Sequence, residues 1–286
     1  MPFEPITWQL RTRTLDTEDH TLIMGILNVT PDSFSDGGMW ATAEAAVKRG
    51  RSLAESGADI VDVGGESNRP GAHPVEAFRE INRVAPVIEE LSGDGIVVSV
   101  DTAKPEVGAA AVGAGAEIIN DITGLADPEM IPLCATTGVG VVIMHMQGTP
   151  ENMQDNPGYN DVVAEVAEFL AERSQAAMDG GIGPAAIVVD PGIGFGKTAT
   201  HNLQLLASLD EVGLGRPLLV GTSRKSFLGS ILDKAGRPSQ PTDRDVATAA
   251  SMSLAISSGA AIVRVHDVGM ALEASRTADA IVRAHR

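Results

Sequence analysis

The sequence predicts a single-domain α/β protein folded as a (β/α)8 TIM barrel. Three observations support this prediction: short β-rich runs recur along the chain, helical patterns separate them, and nearly every run ends in a polar or glycine-rich signature. A chain of 286 residues could form two domains, but α/β barrels often use this length as one. We therefore expect one domain over residues 1–286, with residues 1–20 as an N-terminal extension.

Eight segments are predicted as strands. Most are continuously apolar rather than alternating, which is typical of strands covered on both faces in a parallel sheet. In chain order they are 21–28, 60–66, 96–101, 117–122, 139–146, 186–192, 217–223 and 261–267. Helices are predicted between them. In the segment 159–181, for example, Val162, Val166 and Leu170 recur on one helix face, together with Val163 and Phe169.

The strand ends favour a closed barrel over an open, doubly wound sheet. In a barrel all eight carboxyl ends converge on one mouth, whereas in an open sheet the ends far from the switch point share no site. The polar residues at these ends are Asn28, Glu66, Asp101, Asn120, Asp121, His145, Asp190, Ser223 and His266.

Extended loops are expected after the first, second and seventh strands. The segment "NVTPDSFSDGGMW" (28–40) is rich in turn-forming residues, and a second long connection runs from Ser226 to Thr242. A mobile lid over the barrel mouth is the functional interpretation of the first loop, and a surface loop without function is the alternative.

Composition excludes several classes of function. The net charge is −17 and no basic run occurs, which argues against binding a nucleic-acid backbone but leaves room for a small anionic substrate. Cys134 is the only cysteine, so neither an intrachain disulfide nor a cysteine-based zinc site is expected. No apolar stretch is long enough to span a membrane, and residues 1–20 lack the apolar centre of a signal peptide. We expect a soluble cytoplasmic protein.

Three strand-end residues could together bind a flat heterocycle. Asp101, Asn120 and Asp190 each have a structural alternative as a helix cap or a turn residue. If they surround one cavity, their carboxylates can accept hydrogen bonds from an amino group and a ring N–H in parallel. The apolar strand walls would then provide stacking and exclude water.

Basic residues follow the seventh and eighth strands, where barrels frequently bind phosphate. Arg224 and Lys225 follow the seventh strand, and Arg264 and His266 end the eighth. Strand alternation directs Arg264 and His266 to the same side and Val265 to the other. The sequence therefore predicts an anion site at these two strand ends.

Other motifs do not support further chemistry. "PGIGFGKT" is close to a phosphate-binding P-loop, but Pro191 stands where the first glycine is required. No Cys/His group has zinc spacing, and no nucleophile elbow suggests a Ser-His-Asp triad.

Six motifs in order resemble the signatures of bacterial dihydropteroate synthases, the pterin-binding barrel family. They are "LIMGILNVTPDSFSDGG", "DVGGESNRPGA", "INDITG", "DPGIGFGK", "GTSRKSFLG" and "VRVHD", and the resemblance extends from Thr21 to the last predicted helix. It implies a homodimeric (β/α)8 barrel that joins 4-aminobenzoate to 7,8-dihydropterin-6-ylmethyl diphosphate. The products would be 7,8-dihydropteroate and diphosphate, in a step of folate biosynthesis that sulfonamides inhibit.

The resemblance also implies residue roles, with Asn28, Arg69, Lys225, Arg264 and His266 as the catalytic set. The pterin subsite would comprise Asp101, Asn120, Met144, Asp190, Gly221 and Lys225. The diphosphate subsite would comprise Asn28, Arg69, Arg264 and His266, with Asn28 also ligating Mg²⁺. The aminobenzoate subsite would comprise Phe34, Ser67, Asn68, Pro70, Phe195 and Ser226.

The implied mechanism is a dissociative substitution without a covalent enzyme intermediate. Two alternatives stay open from the sequence: a methyltetrahydrofolate-dependent corrinoid methyltransferase, which would not need the Arg264 and His266 features, and a silent paralogue that only binds pterin. One residue departs from the family pattern, because Asn68 stands where Thr or Ser is usual. We expect this change to preserve catalysis and to alter sulfonamide sensitivity.

Overall fold

The computed structural model describes residues 5–30, 38–213 and 215–284, and their side chains except those of 38–42. The strands of this part are β1 (Thr7–Gln9), β2 (Thr14–Asp16), β3 (Leu22–Asn28), β4 (Ile60–Gly64), β5 (Val98–Asp101), β6 (Ile118–Asp121), β7 (Gly140–Met144), β8 (Ile187–Asp190), β9 (Leu219–Val220) and β10 (Ile262–Val265). The helices are α1 (Gly38–Glu55), α2 (Ala77–Gly93), α3 (Pro105–Gly113), α4 (Met130–Thr137), α5 (Val162–Asp179), α6 (Ala199–Ala207), α7 (Leu209–Gly213), α8 (Ser226–Lys234), α9 (Asp245–Ser257) and α10 (Val268–Arg283).

Strands β3 to β10 form one parallel sheet that closes into a barrel. The order of neighbours is β8-β7-β6-β5-β4-β3-β10-β9, so the last strand pairs with the first. A parallel bridge between Val189 and Leu218 joins β8 to β9, and the Val189 amide donates to the Pro217 carbonyl at 3.0 Å. The predicted (β/α)8 barrel is confirmed, and the open-sheet alternative is wrong.

Two apolar clusters explain why the strands are continuously hydrophobic. Side chains such as Met24, Val142 and Val188 fill the barrel interior, while their neighbours Ile23 and Val141 pack in the cluster between the sheet and the helices. Each strand therefore buries both faces, as a parallel sheet covered by helices requires. The interior cluster lies in the lower part of the barrel, which leaves the carboxyl ends of the strands for polar residues.

A hairpin of β1 and β2 closes the lower end of the barrel. It lies in the segment predicted as an N-terminal extension, and its strands are antiparallel. Trp8 is completely buried in the interior cluster, and its indole Nε1 donates to the Ala186 carbonyl at 2.9 Å. The hairpin thus contributes to the core of the domain.

The helices agree with the sequence patterns, with one difference after β9. The predicted face of α5 is buried through Val162, Val166 and Leu170. In the connection predicted as a long loop from Ser226, the helix α8 occupies Ser226–Lys234, because Phe227 and Leu228 bury their side chains. Most of the lid predicted over 28–40 lies outside the described residues. Among the described helices, none combines the length and the hydropathy needed to cross a bilayer.

Candidate active site

Polar and charged side chains from several strand ends meet at the barrel mouth. We call them the mouth cluster: Asp62, Asp101, Asn120, Asp190, Lys225 and Arg264. In the sheet register Asp101 lies opposite Asn120, and Met144 lies opposite Asp190. Asp190 lies close to Arg264, which binds Asp101, so the three strand-end residues expected to surround one cavity are brought together.

Arg264 connects two carboxylates of the mouth cluster. Its Nε donates to Asp62 Oδ2 at 2.6 Å, and its Nη2 donates to Asp101 Oδ2 at 2.7 Å. Asn120 Nδ2 donates to the same oxygen of Asp62 at 3.1 Å. The predicted strand alternation is confirmed, because the neighbouring Val265 packs in the outer cluster while Arg264 reaches the mouth.

Asp62 is a site residue that the sequence reasoning did not select. It is completely buried, and its Oδ1 has no hydrogen-bond partner among the described residues. A charge is rarely buried in a strand unless a cation compensates for it. The position of Asp62 inside the apolar run of β4 was the available signal, two residues before the glycine pair.

Asp101 is held by a loop residue as well as by Arg264. Asn68 Nδ2 donates to Asp101 Oδ1 at 3.0 Å, so each carboxylate oxygen of Asp101 has a donor. Burial raises the pKa of Asp101 to about 7, since Arg264 offsets only part of the desolvation and Asp62 adds a second carboxylate. Two carboxylates thus share one guanidinium at this side of the mouth.

Asp190 and Lys225 form the opposite side of the mouth cluster. Burial raises the pKa of Asp190, and the nearby Lys225 ammonium opposes this rise. Burial also lowers the pKa of Lys225 to about 8, although Asp190 supports its charged form. The Lys225 ammonium donates to the Ile193 carbonyl and lies 4.7 Å from the centre of the Phe195 ring.

Two further predicted pterin residues border this region. Met144 is buried at the end of β7. At Gly221, a Cβ atom would lie 3.6 Å from the Cβ of Arg264 and 3.8 Å from the Lys225 ammonium. Glycine therefore leaves the space beside these two cations free of a side chain.

His266 lies at the basic edge of the mouth. Its Nδ1 is 2.9 Å from Ser223 Oγ, which also accepts from the His266 amide at 3.2 Å. Because that hydroxyl can then donate to Nδ1, the Nε2–H of His266 is available as a donor. The pKa of His266 is lowered to about 4, mainly by burial and to a smaller extent by three nearby guanidinium groups. The three are Arg264, Arg224 and Arg69.

Arg224 and Asn28 lie on the same side as His266. All three line a cavity of about 410 Å³. Arg224 adopts a left-handed backbone conformation with φ of 60°. It forms a bidentate ion pair with Asp245, in which Nε donates to Oδ1 at 2.7 Å and Nη2 donates to Oδ2 at 2.8 Å. This pair fixes the turn between β9 and α8, and with it the preceding Ser223.

The loop after β4 carries the other predicted contacts. Ser67 and Asn68 are half-buried, whereas Arg69 and Pro70 are exposed. Glu66 anchors the start of this loop, since its Oε2 accepts from the Val75 amide at 2.8 Å and from Lys104. Ser226, at the first turn of α8, is exposed, and Phe195 is half-buried. Phe34, also predicted for aminobenzoate, lies outside the described residues.

The described part of the chain contains no group of three or more His, Cys, Asp or Glu residues placed to hold a metal ion. Asn28 offers a single amide oxygen. A Cβ on Gly64 would lie 3.7 Å from Asn28 Oδ1 and 3.9 Å from Asp101 Oδ2, so glycine keeps the space before these oxygens open. Such a sparse donor set fits Mg²⁺, which commonly uses one or two protein oxygens together with water and substrate phosphates.

Comparison with known proteins shows the family to which the chain belongs. The family model described as pterin binding enzyme matches residues 24–266. Dihydropteroate synthase of Escherichia coli is 45% identical over 267 residues, which cover 93% of each chain. A probable bifunctional folylpolyglutamate synthase/dihydropteroate synthase of Haloferax volcanii is 47% identical over 251 residues. The match covers 87% of the present chain but only 29% of that longer protein.

Solved structures give the same result. Dihydropteroate synthase of Xanthomonas albilineans with 4-aminobenzoic acid superposes with a TM-score of 0.88 and 46% identity, covering 96% of this chain and 98% of that one. The Yersinia pestis dihydropteroate synthase in a sulfonamide complex superposes with a TM-score of 0.89 and 41% identity, covering 98% and 100%.

Proposed function

The chain belongs to the pterin-binding enzymes and is a dihydropteroate synthase, and we propose that the mouth cluster binds the pterin of its substrate. The reaction joins 4-aminobenzoate to 7,8-dihydropterin-6-ylmethyl diphosphate. The observation that carries this assignment is the meeting of Asp101, Asn120 and Asp190 at one mouth. Their oxygens match the amino group and ring N–H of a pterin. Lys225 supplies a donor for the pterin carbonyl or ring nitrogen.

The diphosphate binds at the basic edge of the mouth. Three guanidinium groups lie close enough to His266 to depress its pKa, which supports a positive potential there. Neutral His266 donates through Nε2–H, and Arg69 reaches in from the loop after β4. Arg264 uses Nε and Nη2 for Asp62 and Asp101, so it contacts diphosphate through its remaining N–H groups.

Asn28 is the proposed protein ligand for Mg²⁺. The ion would draw charge from the leaving diphosphate. Asn28 offers one amide oxygen, which supports an ion that arrives with the diphosphate rather than one held by protein alone. Mg²⁺ binding should therefore be much tighter in the presence of diphosphate than in its absence.

The substitution proceeds dissociatively. Arg264, His266 and Arg69 stabilise the negative charge that develops on the departing diphosphate. The positive charge left on the pterin methylene spreads over a ring that lies against Asp101 and Asp190. The amine of 4-aminobenzoate then attacks from the side of the loop after β4, where Ser67, Asn68 and Pro70 lie. Phe34, Phe195 and Ser226 complete this subsite.

A diphosphate-release assay tests the assignment. Release should require the pterin substrate and Mg²⁺, and a sulfonamide should compete with 4-aminobenzoate. Arg264→Ala should lower turnover by about a hundredfold or more, the usual cost of removing a preorganised transition-state donor. Arg51→Ala is the control, because Arg51 forms its ion pairs with Asp94 and Glu90 on the helical surface. Unchanged turnover in Arg264→Ala would refute the diphosphate assignment. No release in the presence of both substrates and Mg²⁺ would refute the assignment.

A homodimer is proposed through α9. Val246, Ala250 and Leu254 recur every four residues along this helix and all are exposed, Val246 by 83% and Leu254 by 68%. Contiguous exposed apolar surface of this kind marks interaction sites. The double variant V246D/L254D should sediment as a monomer. Phe78→Asp is the control, since Phe78 is 60% exposed on α2; a dimer that persists in the double variant would exclude α9 as the interface.

The proposed location is the cytoplasm. Cys134 is a buried, free thiol, which agrees with a reducing compartment.

A further inference from the structure

Lys197 is a buried lysine that the reaction scheme above does not use. It ends the segment 191–197, "PGIGFGK", which we call the strap. The side chain is 3% exposed. Its Nζ lies 2.8 Å from His145 Nδ1, 3.0 Å from the Phe195 carbonyl and 3.4 Å from the His145 carbonyl. An ammonium has three N–H donors, and here each has an acceptor.

His145 accepts rather than donates in this contact. Burial, followed by the charge of Lys197, lowers the pKa of His145 to about 3. The ring is therefore neutral at physiological pH, with the lone pair on Nδ1 and the proton on Nε2. Among the described residues, no carboxylate forms an ion pair with Lys197.

Burial of an ammonium without an ion pair costs free energy, and holding the strap in place does not require it. Burial lowers the pKa of Lys197 to about 7, so the charged form is costly. An apolar side chain of similar volume would fill the same space at lower cost. The presence of a charge here points to an electrostatic role.

Asp190 is the carboxylate with which the charge of Lys197 interacts. Its Oδ1 accepts from the Gly192 amide, within the strap, at 2.7 Å. The groups that oppose the rise of its pKa are the ammonium of Lys225, the Gly192 amide, Arg264 and Lys197. His145, the titratable group at the end of β7, stays neutral and adds no charge. Lys197 is thus the cation that approaches Asp190 from the strap side.

The strap also positions Lys225. The Ile193 carbonyl accepts from the Lys225 ammonium, and the Phe195 ring lies beneath it. Lys197 holds the Phe195 carbonyl, and Tyr159 Oη donates to the Gly196 carbonyl at 2.8 Å. Displacement of the strap would therefore move both surfaces that Lys225 touches.

We propose that Lys197 is a positioning residue of the pterin subsite, whose ammonium acts on the Asp190 carboxylate and fixes the strap beneath Lys225. This proposal rests on the assignment of Asp190 to the pterin. It predicts an effect on pterin binding that depends on pH, which loss of packing alone does not produce.

The test compares Lys197→Met with the native protein in calorimetric titrations with a 7,8-dihydropterin that lacks the diphosphate. Without the nearby cation the pKa of Asp190 rises, so more of this carboxyl is protonated at low pH. The variant should therefore bind more weakly than the native protein at low pH, by about tenfold for each unit of pKa difference once the pH lies below the pKa of Asp190 in both proteins. By about pH 8.5 the difference in pterin affinity between the two proteins, which we call the affinity gap, should close. At this pH Asp190 is ionised in both proteins, and Lys197 of the native protein has lost its proton.

Tyr159→Phe is the matched control. It removes a strap hydrogen bond without removing a charge, so its affinity relative to the native protein should be the same at every pH. If Lys197→Met does not fold, Lys197→Gln replaces it, since the Gln amide can donate within the strap but carries no charge. The same pH-dependent gap is expected. A gap that is constant with pH, or no gap at all, would overturn the proposal.

Asp190→Asn separates this proposal from the assignment on which it rests. If Asp190→Asn binds the pterin as tightly as the native protein, the assignment of Asp190 fails. If Asp190→Asn binds weakly and Lys197→Met matches the native protein at every pH, only the role of Lys197 fails. In an Asp190→Asn background, Lys197→Met should produce no pH-dependent change.

Discussion

Replacement of Asp101 by Asn should make the protein relatively more stable as the pH rises. Burial raises the pKa of Asp101 from its ordinary 3.8 to about 7. The unfolded chain releases this proton near pH 4, whereas the folded protein keeps it until about pH 7. Between these values the folded state binds the additional proton, so the contribution of Asp101 to stability falls as pH rises.

The size of this change follows from the same two values. A rise from 3.8 to about 7 corresponds to about 4 kcal/mol of unfolding free energy, lost progressively between about pH 4 and pH 7. Asp101→Asn removes the ionisation and also disturbs the bond from Arg264 Nη2, which now faces either an amide oxygen or an NH₂ group. The disturbed bond from Arg264 changes the difference in unfolding free energy between the two proteins by the same amount at every pH.

Urea unfolding measured at several pH values from about 4.5 to 8 checks the prediction. The quantity of interest is the free energy of unfolding of Asp101→Asn minus that of the native protein, which should increase by several kcal/mol across this range. Asp155→Asn is the control, since Asp155 is exposed and its substitution should give a flat difference. A flat difference for Asp101→Asn would refute the raised pKa of Asp101 in the folded protein.

Three further outcomes are expected. Asn68→Thr removes the donor that lies 3.0 Å from Asp101 Oδ1; turnover should persist while the sulfonamide inhibition constant changes, and identical constants would contradict this. Because the pKa of His266 is lowered to about 4, His266 is neutral above about pH 5. The pH profile of kcat/KM should then show no histidine ionisation from about pH 6 to 8, and a limb there that disappears in His266→Asn would count against this account. Trp8→Phe leaves the Ala186 carbonyl without its donor and should lower the free energy of unfolding by about 1–3 kcal/mol, with KM values for both substrates unchanged. Altered KM values would show that the hairpin acts on the mouth.

The strand-end residues could be predicted because they depend on two local rules. Parallel strands bring their carboxyl ends to one edge, and side chains alternate along each strand. Asp101 and Asn120 consequently meet in register, and Arg264 points to the mouth while Val265 packs outward. Neither rule requires knowledge of which side chains form hydrogen bonds with each other.

The pairing of these side chains could not be predicted from local rules. Asp62 and Arg264 are 202 residues apart, and they meet only because β10 closes against β3 beside β4. Trp8 lies in a hairpin whose strands are too short for a periodic pattern. Its hydrogen-bond acceptor is 178 residues away in the sequence. The burial of Lys197 against His145 depends on the path of two loops, which the P-loop-like pattern around Lys197 does not predict.

The distribution of charge at the mouth supports the proposed dissociative reaction. On the pterin side, carboxylates and cations alternate: Asp62 and Asp101 face Arg264, and Asp190 faces Lys225. A positive charge that develops on a ring held here finds carboxylates already in place, so little rearrangement is needed. At the edge near His266, guanidinium groups dominate, and they favour the negative charge of a leaving diphosphate. A bond broken between these two regions separates charge in the direction that the protein already stabilises.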